Sequence, residues 1–336
     1  MGDELTRFES EFASYCQTKY AIGVGNGSDA LFLSLKALGI GPGDEVITAP
    51  NSFIASAWTI AATGATPVFV DISKDLNIDC SLIEAAITSK TKAIMPVHFT
   101  GKISDMDQIL RIADQYHLFV VEDAAQAVGA LYRGQRAGSF GVTGCFSLHP
   151  LKNLHVQGDG GIITTNDEKI YYFIKKLRNH GLKNRDECEF WGYNSRLDCI
   201  QAGIATIKLR YLDEWTERYR AIAAYYTTEF GSLVHTPQEN DDESPVYHRY
   251  MIRSENRDDL QAYLTEHGVE TKVNYPIPIH LQDIGKSMGH KIGDFPETER
   301  AANEILSLPI YPELSDTEVE YVVEQVKIGV GSLIPH

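Results

Sequence analysis

Apolar and polar positions along this chain follow two periods. Leu5, Phe8, Phe12 and Tyr15 recur every three to four residues, which predicts a helix over Asp3–Cys16. Tyr20–Val24 reads as a short strand, and Gly25-Asn-Gly-Ser-Asp29 leads into an amphipathic helix, Ala30–Leu38, stopped by Gly39. The pattern then alternates. Strands are predicted at Glu45–Thr48, Pro67–Asp71, Ala93–Val97 and Leu118–Glu122, separated by helices at Ala55–Thr63, Asp79–Ile87 and Met106–Tyr116. Near-continuous apolar strands between helices predict a mostly parallel sheet covered on both faces. Two further strands, Thr143–Leu148 and Ile162–Thr165, bracket a loop. Helices follow at Glu168–Asn179, Leu197–Tyr211 and Leu212–Phe230, where Trp215, Tyr219, Ile222 and Tyr226 form a stripe that reads as core.

After an acidic, proline-containing stretch, Gly231–Pro245, the pattern restarts. It gives strands Tyr247–Arg253 and Glu270–Asn274 and helices Arg257–His267 and Glu297–Leu306. A last helix, Asp316–Ile328, opens on the capping box Ser315-x-x-Glu318. The expected organisation is a large α/β domain over residues 1–211 and a smaller α+β domain over 212–336.

Composition narrows the class. At 336 residues the chain exceeds one small core. A net charge of −16 argues against nucleic acid and anionic membrane as partners. The five cysteines are scattered with no C-x-x-C pair, so a disulfide framework or structural zinc is not expected and a reducing, cytoplasmic setting is. No apolar run is long enough to span a bilayer.

Candidate chemistry gathers where strands end. Lys152 lies in the loop between the two bracketing strands, with Ser147 and His149 just before it and Gly158-Asp-Gly-Gly161 after it. Either it is an ordinary solvated lysine, or burial there disfavours its charge and makes its amine a nucleophile. Asp123 ends Leu-Phe-Val-Val-Glu and either caps a following helix or faces a cationic group. Ser52 and Phe53 follow one strand, His98 another, and Gln126 lies close behind Asp123. Gly25–Asp29 is either a plain turn and N-cap or an anion site at a helix start.

Six motifs in order carry a resemblance: Asn26-Gly-Ser-Asp-Ala-Leu31, Gly41-Pro-Gly-Asp-Glu-Val46, Glu122-Asp-Ala-Ala-Gln126, Ser147-x-His-Pro-x-Lys152-Asn, Gly158-Asp-Gly-Gly161 and Asn194-Ser-Arg-Leu-Asp198. Together they make the whole chain resemble the DegT/DnrJ/EryC1/StrS aminotransferases, fold-type-I enzymes that use pyridoxal 5'-phosphate to aminate nucleotide-linked keto sugars. The resemblance implies an aspartate-aminotransferase-like fold, Lys152 as the Schiff-base lysine and Asp123 as partner of the ring nitrogen. It also implies Phe53 stacked on the ring, Gln126 near the phenolic oxygen, Gly27, Ser28, Asp29 and Ser147 around the phosphate, and Asn194 reaching that phosphate from a second subunit. A homodimer with shared sites is therefore expected, with an amino-acid donor, L-glutamate, and a nucleotide keto sugar as substrates. His149, His98 and His280 are candidate sugar contacts, His149 alternatively a packed loop residue. Relatives that dehydrate carry histidine at the lysine position, so Lys152 points to transamination. The Gly-Ser-Asp-Ala-Leu form and the Trp191–Asp198 stretch lean toward a 3-keto-6-deoxy sugar, with a 4-keto sugar the alternative.

The chain departs from the resemblance in two places. Relatives carry roughly 30 more residues ahead of the first helix, against usual domain sizes, and that segment helps close the site. The loop His98-Phe-Thr-Gly-Lys-Ile also differs from the commoner tyrosine-glycine-histidine form. The alternatives are accordingly an aminocyclitol aminotransferase or a catalytically silent cofactor-binding regulator. A nicotinamide oxidoreductase ranks far below, because no glycine fingerprint for a pyrophosphate is present.

Overall fold

In the computed structural model, which describes residues 2–333, the alternating pattern becomes alternating elements. In order they are α1 (Asp3–Tyr15), β1 (Tyr20–Val24), α2 (Gly27–Ala37), β2 (Glu45–Thr48), α3 (Ala55–Ala62), β3 (Thr66–Phe69), α4 (Cys80–Ala86), β4 (Thr91–Ile94), α5 (Met106–Tyr116) and β5 (Phe119–Asp123). A small hairpin, β6 (Leu131–Tyr132) and β7 (Gln135–Arg136), precedes β8 (Thr143–Ser147) and β9 (Gly161–Thr165). The seven-stranded sheet has the order β1-β9-β8-β5-β4-β2-β3. Only β9 runs against the others, so the sheet is mixed and mostly parallel.

Neighbouring residues of each strand point to opposite faces, and both faces are apolar. Ile47, Ile94, Val120, Phe146 and Ile162 pack with α1 and α5 on one side, through Leu5, Phe8, Phe12, Ile109 and Ile112. Val46, Ala93, Val121, Cys145 and Ile163 pack on the other with Leu31 and Leu35 of α2 and Ile60 of α3. That double burial is why these strands lack a polar face.

Beyond the sheet come α6 (Glu168–Leu177), α7 (Cys199–Leu209), α8 (Leu212–Phe230), β10 (Glu243–Ser244), β11 (Tyr250–Arg253), α9 (Arg257–Glu266), α10 (Asp283–Ser287), α11 (Pro296–Glu304), β12 (Ile305–Leu308) and α12 (Asp316–Leu333). β11 and β12 pair antiparallel, and α8, α9 and α12 close a second core around them with Tyr226, Phe230, Leu260, Leu264, Val322 and Val326. The Ser315–Glu318 capping box forms: the Glu318 carboxylate accepts from Ser315 N–H at 2.9 Å, and Ser315 Oγ accepts from Glu318 N–H at 3.3 Å.

Two expectations fail in this region. Ile305 and Leu306, read as the end of a helix, open β12, and Glu270–Asn274, read as a strand, makes only a single bridge, Lys272 to Ser307. The run Ile-Leu-Ser-Leu carries no glycine or proline stop, so only pairing with β11 reveals its extended form.

The segment between α9 and β12 leans on the large sheet. Ile279 N–H donates to Pro50 O at 2.8 Å, and the Asp71 carboxylate caps α11 by accepting from the N–H groups of Glu297 and Thr298, each at 2.9 Å. No helix of the described residues is long and apolar enough to cross a membrane.

Candidate active site

β2, β4, β5 and β8 run parallel, and β1 points the same way through its antiparallel pairing with β9. Their carboxyl ends therefore share one edge, where ligands bind in sheets of this kind.

Beyond β8, Leu148 N–H donates to Gly160 O at 2.8 Å and Val156 N–H to Leu148 O at 2.9 Å. These bonds close the base of a loop that carries Lys152. Its neighbour Asn153 is buried and anchors the loop: the amide donates to Val246 O at 3.1 Å, and Asn153 Oδ1 lies 3.1 Å from His248 Nδ1. Burial lowers the Lys152 amine from its usual 10.5 to about 8. The Arg249 guanidinium pushes it the same way, and the Asp123 carboxylate opposes both.

Asp123 ends β5, directly across from Cys145 of β8, and is buried. Ser56 donates its hydroxyl to Asp123 Oδ2 at 2.8 Å, and Ala125 N–H donates to Oδ1 at 3.3 Å. Turns, not a helix, follow Asp123, so the helix-cap alternative falls away. Burial raises its carboxyl above the usual range, while the bonds from Ser56 and Ala125 and the charges of Lys152 and His98 hold it down. A cation seated against it would offset the cost of burial.

At the start of α2 the cap is Asn26, whose side chain accepts from Asp29 N–H at 2.8 Å. The helix begins three residues earlier than its apolar stripe suggests, which puts Gly27 and Ser28 in the first turn. A Cβ on Gly27 would lie 2.7 Å from Ser147 Cβ, so only glycine lets this helix end approach the end of β8. Asp29 is already engaged: its N–H goes to Asn26, and its carboxylate accepts from the Ser195 hydroxyl at 2.6 Å. It braces the Ser195 loop and turns no donor toward an anion. Asn194, the next residue back, is exposed.

Phe53 is 54% exposed, with one neighbour ring, Tyr275, at 5.9 Å between centroids. Gln126 is buried and its amide oxygen accepts from Thr100 N–H at 3.0 Å, which leaves its NH2 as the free end. The candidate histidines differ. His149 is exposed beside the Lys152 loop. His98 is fully buried, with Nε2 3.0 Å from Glu122 and Nδ1 accepting from Ser104 N–H at 3.2 Å, so neither nitrogen is left for a ligand. His280 is also buried, with Nε2 3.1 Å from Glu299.

Residues not singled out from sequence complete the site: Ser56, Tyr275, His248 and Arg249. Ser56 lies in the first turn of α3, four residues after Ser52, and the two hydroxyls are 3.0 Å apart; its nearness to Ser52 is the one local signal that could have found it. The other three come from distant segments and leave no local signal.

A mostly parallel sheet whose amine-bearing loop leaves one strand, with a buried carboxylate ending the next, is the frame of fold-type-I pyridoxal-phosphate enzymes. The solved relatives share it throughout. DesV of Streptomyces venezuelae, solved in complex with a ketimine intermediate, superposes with a TM-score of 0.96 at 42% identity, over 98% of this chain and 90% of that one. NtdA from Bacillus subtilis with bound cofactor PMP gives 0.92 at 34% identity, over 98% and 78%. The chain belongs to the DegT/DnrJ/EryC1/StrS aminotransferase family, which it matches over residues 1–327.

Among its relatives, the dTDP-3-amino-3,6-dideoxy-alpha-D-galactopyranose transaminase of Aneurinibacillus thermoaerophilus is 48% identical over 97% of this chain and 90% of its own length. A pleiotropic regulatory protein of Geobacillus stearothermophilus is likewise 48% identical, over 97% and 89%. The protein is a pyridoxal-phosphate-dependent sugar aminotransferase.

The site fits that cofactor. Lys152 offers an amine that sheds its proton easily, Asp123 a buried carboxylate in need of a cation, Phe53 an uncovered ring face, and the Gly27–Ser28 turn with Ser147 a compact anion seat. When bound, the cofactor supplies an electron sink for the bond-breaking step.

Proposed function

We propose that this enzyme moves an amino group from L-glutamate to carbon 3 of a nucleotide-linked 3-keto-6-deoxy sugar. The observation that carries the reading is the Lys152 amine held near 8 in range of the Asp123 carboxylate. Lys152 anchors the cofactor at rest. Once displaced by the donor, Lys152 Nζ takes the proton from the donor α-carbon and delivers it onward, which a low-pKa amine can do near neutral pH. Asp123 holds the proton on the ring nitrogen, Phe53 fixes the ring plane, and the Gln126 NH2 donates toward the phenolic oxygen. Ser28 and Ser147 with the Gly27 N–H cradle the phosphate. His149, exposed at the rim, contacts the sugar. Support for carbon 3 is the Aneurinibacillus relative, a transaminase of a dTDP-3-amino-3,6-dideoxy sugar.

In this reading the enzyme works as a cytoplasmic homodimer, with Asn194 of each subunit reaching its partner's phosphate seat. The exposed Trp191, at 95%, and Leu151, at 74%, support an apolar partner surface beside the site, and the free cysteines fit a reducing compartment. Residues 1–211 carry the cofactor and 212–336 form the smaller domain.

The test is a half-reaction screen. The enzyme is loaded with glutamate, 2-oxoglutarate release is measured, and nucleotide keto sugars are then added one by one. Amination of a 3-keto sugar with loss of activity in Lys152→Ala supports the reading, and amination of a 4-keto sugar alone would move the site of transfer. A second reading, a regulator that binds cofactor without transferring amines, is favoured by the Geobacillus relative. It predicts no 2-oxoglutarate from any loaded enzyme.

A further inference from the structure

The segment before β11 carries an arginine for which the cofactor site has no assigned use. Backbone bonds fix residues 246–249 between two walls of the site. Val246 N–H donates to Gly101 O at 3.0 Å and Arg249 N–H to Thr100 O at 3.4 Å, on the turn that also holds Gln126. On the opposite side, Asn153 ties Val246 and His248 to the Lys152 loop. The Arg249 guanidinium lies 5.5 Å from the centre of the Tyr275 ring, and Tyr275 is the neighbour of Phe53. Arg249 is thus bracketed by Lys152, Gln126 and the aromatic wall.

Its charge is uncompensated. Arg249 Nη1 is buried without a hydrogen-bond partner, and among the described residues no carboxylate lies within ion-pair distance of Arg249. Two cations side by side in a half-buried site repel, and that repulsion helps lower the Lys152 amine. Such an arrangement is unfavourable in the empty site and becomes favourable when an anion arrives. The fork of a guanidinium matches a carboxylate, with two parallel N–H donors for two oxygens. A donor amino acid must bring its amine to where Lys152 Nζ sits, which carries its α-carboxylate, one carbon away, into this corner. The diphosphate of a nucleotide sugar is separated from the reacting carbon by the width of the sugar ring.

We propose that Arg249 is the carboxylate receptor for the amino donor, its free Nη1 and the neighbouring N–H groups pairing with the donor's carboxylate beside Lys152. The proposal rests on the aminotransferase reading for the nature of the ligand, and its test does not need turnover. Glutarate binding to the cofactor-loaded enzyme is measured by calorimetry, with dTDP as a second probe. Arg249→Gln is expected to weaken glutarate about 10- to 100-fold, the scale of a lost charged hydrogen-bond pair, and to leave dTDP within about twofold. Arg249→Lys, which keeps the charge without the fork, should fall between.

In the unsubstituted enzyme, modification of arginine by phenylglyoxal followed by peptide mapping should show Arg249 protected by glutarate, which keeps the test open if the variants fail to fold. Weakened dTDP with unchanged glutarate would reassign Arg249 to the nucleotide and overturn the proposal. Equal affinities in all forms, no glutarate binding to the unsubstituted enzyme, or no protection would overturn it as well. An enzyme that binds glutarate through Arg249 but transfers no amine would sink the functional reading and leave this one standing.

Discussion

At the scale of single residues, burial shifts two groups of the site in opposite directions, the Lys152 amine down and the Asp123 carboxyl up. With its amine near 8, about one Lys152 in ten is unprotonated at pH 7, against about one in three thousand for an ordinary lysine near 10.5. The same shift costs stability. The folded state disfavours the charged amine, so the penalty is fully present below about 8 and fades as pH rises toward 10.5. In cofactor-free protein, Lys152→Met should therefore raise the melting temperature at pH 7 by roughly 2–5 °C, and by less at pH 9.5. An equal effect at both would show that packing, not charge, sets the change. For Asp123, replacement by Asn removes the charge that, in the proposed mechanism, holds the proton on the ring nitrogen. Amine transfer should drop about 10²- to 10³-fold while the fold persists, as read by circular dichroism. Ser56→Ala removes the hydroxyl donated to Asp123 and pushes its carboxyl further up. The acid limb of the rate–pH profile should move to higher pH, whereas a purely structural serine would leave that limb in place.

Elements place these groups by close approach, and that is where the account of the chain's folding can be broken. Gly161 opens β9 against the turn before α2, and a Cβ there would meet Asn26 O at 2.2 Å, backbone that has little room to give. Gly161→Ala should cost about 1–3 kcal/mol and weaken cofactor binding, because it pushes the Gly27–Ser28 turn, the proposed phosphate seat, away from Ser147. Glu122 supports the other side. Its buried carboxylate accepts from the N–H groups of Gly138, Phe140 and Gly141 and pairs with His98. Glu122→Ala should cost about 3–5 kcal/mol in denaturant unfolding. Much of this frame was legible beforehand, since strands buried on both faces announce themselves by apolar runs, and β2, α5 and α8 fall where their patterns end. What local pattern could not show is tertiary. The early start of α2 depends on an Asn26 cap and a glycine under Ser147, and β12 exists because β11 lies beside it. His98 looked like a strand-end ligand residue, yet Glu122 and Ser104 take both its nitrogens. Arg249 and Tyr275 reach the site from across the fold.

For the whole molecule, Phe53, Leu151 and Trp191 are large apolar side chains left exposed. If a second copy covers them, sedimentation should give a dimer at micromolar concentration. Trp191→Asp should shift it to monomer and lower cofactor affinity together; a monomeric enzyme with full activity would refute the shared site. The two copies would then each own a complete Lys152–Asp123 pair and borrow only Asn194. The most direct test of that pair is to add pyridoxal phosphate, reduce with borohydride and map the labelled peptide. The label is expected on Lys152 alone, lost in Lys152→Ala and weakened by Asp123→Asn. A label on another lysine, or none, would contradict the account.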